Sequence, residues 1–230
     1  MPASEVSPFR ADALRTRPAS WVLLAAFVLE IFVLSPLVGM GVVPLWAGAI
    51  ATTLTLVAAA MALGRQTAAH GILVVFVLFS LAARWGHSFV GARATDVSVA
   101  VSELTMGGLF AFLFLKNVFS KARLPDRLLS VLLAYLFIGA AFGGAYHLAE
   151  LLHPGALSLP GHAALPSSEF NYFSFTTLTS VGFGDIVPVR PLVRSLAALE
   201  ALTGQLYLLL VVSRFIGEWT MAAGGRDGRG

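Results

Sequence analysis

Residues 177–185 read T-L-T-S-V-G-F-G-D, in which two glycines alternate with larger residues before an aspartate. Glycine reaches positive φ at little steric cost, so Gly182 and Gly184 permit a backbone whose successive carbonyl groups face one axis. Stacked rings of such carbonyls from four chains can replace the hydration shell of a potassium ion. The segment therefore predicts binding sites for a dehydrated monovalent cation.

A dinucleotide-binding loop is the main alternative for two glycines at this spacing. That loop follows a strand, contains a third glycine and opens a helix. Here the motif follows a helix-like run at residues 169–179 and precedes Pro188, so the order excludes this class. We find no nucleophile-base pair, metal-ligand set or phosphate loop, and we predict neither an enzyme nor a cofactor.

The composition indicates an integral membrane protein. Hydrophobic residues make up 57% of the chain, charged residues 12%, and the mean hydropathy is +0.84, whereas soluble domains are about 25% charged. The net charge of +3 comes from basic residues beside apolar stretches and not from a separate basic domain. We therefore predict a lipid bilayer, and no nucleic acid, as the partner.

Six apolar stretches have close to the roughly 20 residues that cross a bilayer. They fall at residues 21–39, 42–63, 70–89, 97–119, 128–152 and 191–217. The last two flank a linker rich in proline and glycine, in which residues 169–179 are too short to span. The predicted fold is an all-α membrane protein with six transmembrane helices plus one re-entrant pore helix and a selectivity-filter strand per subunit.

The predicted organisation has four parts along the chain. A cytoplasmic tail at residues 1–20 precedes a charge-poor four-helix transmembrane domain at 21–119, and a pore domain at 120–217 precedes a cytoplasmic tail at 218–230. The pore domain divides into an outer helix at 128–152, a pore helix at 169–179, a filter at 180–185 and an inner helix at 191–217.

The distribution of basic residues predicts the orientation. Eleven of the fifteen Lys and Arg residues fall on the side of the predicted spans that holds both termini. The other four are Arg84, Arg93, Arg190 and Arg194. The positive-inside rule therefore places both termini in the cytoplasm and the glycine end of the motif outside the cell.

Over about residues 128–217 the chain resembles bacterial six-span potassium channels of the tetrameric P-loop cation channel superfamily. That family usually has threonine before the valine and tyrosine between the glycines, and Ser180 and Phe183 replace them here. The ether-à-go-go-related channels share S-V-G-F-G. The resemblance implies a homotetramer of the bacterial inner membrane that passes K⁺ passively in single file.

The resemblance also implies roles for individual residues. The backbone carbonyls of Ser180, Val181, Gly182 and Phe183, with the Ser180 hydroxyl, would bind K⁺, and Gly184 would complete the filter. Support for the filter would come from Asp185, Tyr172, Phe173, Thr176 and Thr179. In this scheme Tyr172 hydrogen-bonds Asp185, and Phe173 faces Phe183 in a purely apolar contact. Gly204 is either a gating hinge or a small residue that allows close helix packing.

Three acids lie within predicted spans, namely Glu30, Glu103 and Glu200. Acids in a bilayer need partners or water. Arg84 is a possible partner for Glu30 or Glu103, and a structural ion pair is favoured over an ion pathway. Glu200 either enters the ion cavity or turns behind the filter to accept hydrogen bonds from pore-helix threonines such as Thr176.

Voltage sensing by arginines is not predicted, because residues 97–119 contain one glutamate and one lysine and no arginine. Two alternatives to a potassium channel stay open. A weakly selective monovalent cation channel is disfavoured by the intact V-G-F-G. A transporter or membrane enzyme with a coincidental motif is disfavoured because no inverted repeat accompanies the single P-loop.

Overall fold

The computed structural model describes residues 18–63, 70–85, 92–120, 124–161 and 165–227, and it is mostly helical. The helical elements are α1 (Pro18–Leu29), a π-helical segment (Glu30–Leu34), α2 (Ser35–Gly39), α3 (Leu45–Leu63), α4 (His70–Trp85), α5 (Ala92–Val118), α6 (Leu124–Leu152), α7 (Ser167–Leu178) and α8 (Pro191–Asp227). Two short strands are β1 (Leu157–Ser158) and β2 (Val187–Pro188).

Within those ranges, four helical stretches are long and apolar enough to cross a membrane. They are Ala19–Gly39, Ala94–Val118, Leu124–Leu152 and Pro191–Gly217. They coincide with the first, fourth, fifth and sixth predicted spans. In α3 the apolar stretch is shorter, and the 16 residues of α4 rise only about 24 Å. The structure is thus consistent with an all-α membrane protein, while the six crossings stay predictions.

Several helix ends differ from the predicted ones. Helix α6 begins at Leu124, four residues before the predicted start at 128, because Pro125 suits the first turn of a helix. Helix α7 begins directly after Pro166, two residues earlier than predicted. Helix α8 continues to Asp227 because no proline interrupts it, so its helical structure extends past the predicted end at 217.

Helices α5 and α6 pack closely through glycines. A Cβ atom at Gly107 would lie 2.8 Å from the Cα of Ala141, and one at Gly144 would lie 2.5 Å from the backbone nitrogen of Leu104. Such distances are below any normal carbon contact, so only glycine allows this approach. Small residues commonly bring membrane helices together in this way.

An aromatic cluster joins the N-terminal helices to α6. The Phe137 ring of α6 lies 4.7 Å from the Phe27 ring of α1 and 5.0 Å from the Phe110 ring of α5. The Phe114 ring stacks on the same side chain at 5.8 Å. All four rings are buried. This core fixes α6 as the helix against which α7 and α8 are positioned.

The first span also reaches α7. Its π-helical segment carries Phe32, whose ring lies 5.1 Å from that of Phe175 on α7. At the end of α2, Gly39 lies against the side chain of Ser168. The N-terminal helices therefore contact the same short helix that precedes the glycine motif.

A short strand pair closes the loops around that motif. Strands β1 and β2 pair antiparallel, and Val189 N–H donates to the Ala156 carbonyl at 2.9 Å. The Glu150 carboxylate accepts the N–H groups of Gly155 and Leu157 at 2.8 and 3.1 Å. The sequence analysis does not anticipate this pairing, because two-residue strands are too short to show a period.

Candidate functional site

Helix α7 ends in a left-handed cap that begins the glycine motif. Ser180 N–H donates to the Thr177 carbonyl and Val181 N–H to the Thr176 carbonyl, both at 2.9 Å. These two bonds form a Schellman motif, whose residue after the cap takes positive φ. Ser180 accordingly has a φ of 58°. A β-branched threonine would be strained in that conformation, which gives a physical reason for serine here.

Positive φ recurs at alternate residues through the motif. Ser180, Gly182 and Gly184 have φ values of 58°, 51° and 78°, while Val181 and Phe183 do not have positive φ. Alternating signs rotate successive peptide units in opposite senses. A helix spirals its carbonyls and a strand alternates them, whereas this backbone can keep them on one side. The predicted filter strand is thus not a β-strand, because alternating φ is incompatible with a ladder.

The far end of the motif is held by Tyr172 and Asp185. The Tyr172 hydroxyl donates to Asp185 Oδ2 at 2.6 Å, and Ile186 N–H donates to Oδ1 at 2.9 Å. The bond from Tyr172 lowers the pKa of Asp185 below its usual range. The same bond raises the pKa of Tyr172 to about 12. This is the hydrogen bond that the resemblance implies.

The predicted contact between Phe173 and Phe183 is not what the structure shows within the chain. The Phe183 ring lies parallel to Tyr172, with ring centres 6.4 Å apart. Phe173 is buried and meets Tyr146 of α6 at 4.8 Å. Consecutive helix residues point about 100° apart, so Phe173 is directed toward α6 while Tyr172 faces the motif.

Thr176 and Thr179 support the motif differently from the predicted manner. Their hydroxyls bond within α7, to the carbonyls of Phe173 at 3.0 Å and Phe175 at 2.6 Å. A threonine hydroxyl in a helix forms such local bonds without ordering any other segment, so these bonds compete well with bonds to more distant groups. The Thr176 carbonyl, not its hydroxyl, accepts Val181 N–H and Gly182 N–H. The backbone at the end of α7 thus fixes the first half of the motif.

Glu200 turns behind α7, which is one of its two predicted orientations. Its side chain is fully buried. The contact is with Ser174, at 2.5 Å from Oε1, and not with Thr176. A second hydroxyl, that of Tyr146, lies 2.5 Å from Oε2. The carboxyl group therefore joins α8 to α7 and α6.

The other two acids within the spans also have partners. The Thr52 hydroxyl donates to Glu30 Oε1. His147 Nδ1 lies 3.7 Å from Glu103 Oε2. The side chain of Arg84, the partner predicted for either acid, lies outside the described residues. Both acids thus pair with neighbouring helices in ways that the sequence analysis misses.

Gly204 packs against the end of α7. A Cβ atom there would lie 2.9 Å from the carbonyl carbon of Leu178, and closer still to its oxygen. The Tyr135 hydroxyl donates to the same oxygen at 3.2 Å. Helix α8 continues unbroken through Gly204. Close packing, one of the two predicted roles, is present, and the role as a hinge stays a prediction.

Gln205, the residue after Gly204, is not among the predicted site residues. Its Nε2 donates to Ser180 Oγ at 2.9 Å and so links α8 directly to the motif. An amide inside an apolar span is a recognisable signal, because such groups commonly hydrogen-bond between membrane helices. Tyr135, Tyr146 and Ser174 give no comparable signal, because tyrosine and serine are unremarkable within helices.

One comparison with known proteins gave a match, and it falls in this region. Residues 164–220 match a family model described as an ion channel. Neither the curated proteins nor the solved structures gave a match. The matched region contains α7, the glycine motif and most of α8. The match indicates an ion channel, and it supports a pore-loop cation channel with permeant ions and an oligomeric assembly.

Proposed function

We propose that the chain is one subunit of a homotetrameric potassium channel that conducts passively, in single file, through residues 180–184. The alternating φ at Ser180, Gly182 and Gly184 is the observation that carries this proposal. In it, the carbonyls of Ser180, Val181, Gly182 and Phe183 replace the hydration shell of K⁺ together with the Ser180 hydroxyl.

The neighbouring elements support cation binding at this position. Helix α7 ends directly at the motif, and the C-terminal end of a helix carries a partial negative charge. Glu200 adds no charge to an open cavity, since it is buried behind α7. Attraction for the cation therefore comes from backbone dipoles.

Exposed groups support an assembly of four chains in a ring. In the single chain, the side chains of Val181 and Phe183 are 55% and 70% exposed. One chain also supplies ligands on only one side of an ion, whereas a filter needs ligands on all sides. Apolar side chains also lie exposed along α8, namely Leu199, Leu202, Leu206, Leu209 and Leu210. Closed cyclic symmetry would cover these surfaces with other copies or with lipid.

The membrane arrangement is part of the proposal. Six spans, a re-entrant α7 and cytoplasmic termini follow from the apolar stretches and the excess of Lys and Arg on one side. The proposed location is the bacterial inner membrane. In this arrangement Asp185 lies at the outer mouth of the filter.

A flux assay in liposomes tests the proposed function. Full-length protein should release K⁺ down its gradient, and Ba²⁺ should block the release. Reversal potentials in mixed K⁺ and Na⁺ should follow the K⁺ gradient. A reversal potential near zero would instead support the weakly selective cation channel, and absence of any Ba²⁺-sensitive flux under varied voltage, pH and tension would contradict a channel.

Replacing Tyr172 with phenylalanine should weaken the outer end of the filter. Loss of the bond to Asp185 is expected to speed the decay of K⁺ flux after removal of external K⁺ by about fivefold. The wild-type bond should act at constant strength between the usual pKa values of Asp, about 3.9, and Tyr, about 10. It should weaken as the pH falls through the lowered pKa of Asp185, or rises through about 12 for Tyr172.

Asp185→Asn is the matched control for this prediction. It keeps an oxygen acceptor for Tyr172 but removes the negative charge, so its decay should fall between wild type and Tyr172→Phe. It should also lose the acid dependence. Equal decay in all three proteins would show that this bond does not support the filter.

A further inference from the structure

A chain of three hydroxyl and carboxyl contacts lies behind the proposed filter. Ser174 Oγ is 2.5 Å from Glu200 Oε1 and 2.7 Å from the Gly139 carbonyl oxygen. The Tyr146 hydroxyl is 2.5 Å from Glu200 Oε2. The side chains of Glu200, Ser174 and Tyr146 have no exposed surface. Water therefore does not supply a missing donor or acceptor to any of the three.

The number of protons in this chain decides the state of Glu200. A serine hydroxyl has one proton, and a carbonyl oxygen only accepts. If Glu200 were ionised, Ser174 could donate its one proton either to Glu200 or to Gly139. In the remaining contact, two oxygen atoms would then face each other with lone pairs and no proton between them. If Oε1 carries a proton, Glu200 donates to Ser174, Ser174 donates to Gly139, and Tyr146 donates to Oε2. Every contact then has one proton.

The surroundings favour the same state. A buried carboxylate is costly unless a cation pairs with it. In the described part of the chain no Lys, Arg or His forms an ion pair with Glu200. The titratable groups that face it are Tyr146 and Tyr135, both on α6. Helix α7 presents the uncharged hydroxyl of Ser174.

We propose that Glu200 acts as a neutral carboxylic acid whose proton fixes α7, and with it the filter, between α6 and α8. It is a positioning residue, because it touches no permeant ion. This inference rests on the proposed function. The consequence of this proposal is regulation by alkaline pH. The Glu200 carboxyl group holds its proton in the folded protein, so the stabilising effect of that proton is present at low pH and is lost as the pH rises. Deprotonation leaves the contact between Ser174 and Gly139 without a proton.

The variant Glu200→Gln keeps a hydrogen-bond donor and an acceptor at this position but cannot become charged. Its amide N–H can donate to Ser174 while its oxygen accepts from Tyr146, so the direction of the chain is kept. We expect K⁺ flux within about twofold of wild type at neutral pH. Between about pH 7 and about pH 9, wild-type flux should fall about tenfold, and the flux of the variant should change less than twofold. Glu200→Leu should lose flux at both pH values.

Infrared spectroscopy gives a readout that does not need conduction. The difference spectrum between wild type and Glu200→Gln should contain the C=O stretch of a protonated carboxylic acid at neutral pH, and the band should disappear at alkaline pH. The midpoint of thermal unfolding of wild type should fall as the pH rises from about 4.3, the usual pKa of Glu, to the range in which the band disappears, and that of Glu200→Gln should not.

The outcomes distinguish this inference from the proposed function. Protein without K⁺ flux but with the infrared band and the loss of thermal stability with rising pH would retain the inference and contradict the channel. A carboxylate band at neutral pH in place of the acid band would overturn the inference. So would a Glu200→Gln variant that loses flux at neutral pH while wild type is insensitive to alkali.

Discussion

Gly182→Ala is expected to reduce K⁺ flux at least about 100-fold. Gly182 has a φ of 51°, a conformation that costs an alanine about 1 to 2 kcal/mol. Four copies in one ring would raise the cost to about 4 to 8 kcal/mol, and each 1.4 kcal/mol corresponds to about tenfold in rate or occupancy. Apart from its two chain neighbours, no atom of the described residues lies within 4 Å of the added Cβ. The loss therefore follows from backbone geometry and not from a clash within the subunit.

Gly155→Ala is the matched control. Gly155 has a φ of 77°, has equally open surroundings and lies in the loop after α6, outside residues 180–184. It carries the same strain, so any general loss of stability should appear in both variants. We expect its flux to stay within about twofold of wild type. Measured in the liposome assay, equal flux in the two variants would place ion conduction elsewhere in the chain.

The contrast between these glycines shows what the sequence can and cannot predict. The spacing of Gly182 and Gly184 predicts the alternating backbone, since glycine is the residue that takes positive φ freely. Positive φ at Ser180 is not predictable in this way, because serine rarely adopts it. Its cause is the cap at the end of α7, which depends on where that helix stops.

Long-range contacts are the other part that the sequence does not predict. Glu200 is identifiable as a costly acid within a span, but its partners Ser174 and Tyr146 are 26 and 54 residues away. Which helix face meets which depends on the rotation of α6 and α7 about their axes. The four long apolar helical stretches of the described residues were predictable because hydrophobicity over about 20 residues is a strong signal. Shorter helices such as α4 give a weaker hydrophobic signal.

Gly204→Ala is expected to lower the stability of the protein by about 3 kcal/mol, the upper part of the usual range for overpacking. The added Cβ would overlap the Leu178 carbonyl, which is a backbone group and cannot rotate away. Relief requires α8 to move from α7, and that movement would also strain the bond from Gln205 on α8 to Ser180. The expected result is a lower unfolding temperature and a loss of K⁺ flux.

Gly217→Ala on the same helix is the control, because among the described residues no atom outside the local helix backbone lies within 4 Å of a Cβ at that position. Its thermal unfolding should match wild type or rise slightly, since alanine favours a helix over glycine. This pair also separates the two roles of Gly204. A pure hinge would give Gly204→Ala an altered fraction of open channels with an unchanged unfolding temperature. Close packing predicts a lower unfolding temperature whether the channel is open or closed, because the overlap with Leu178 precedes any bending of α8.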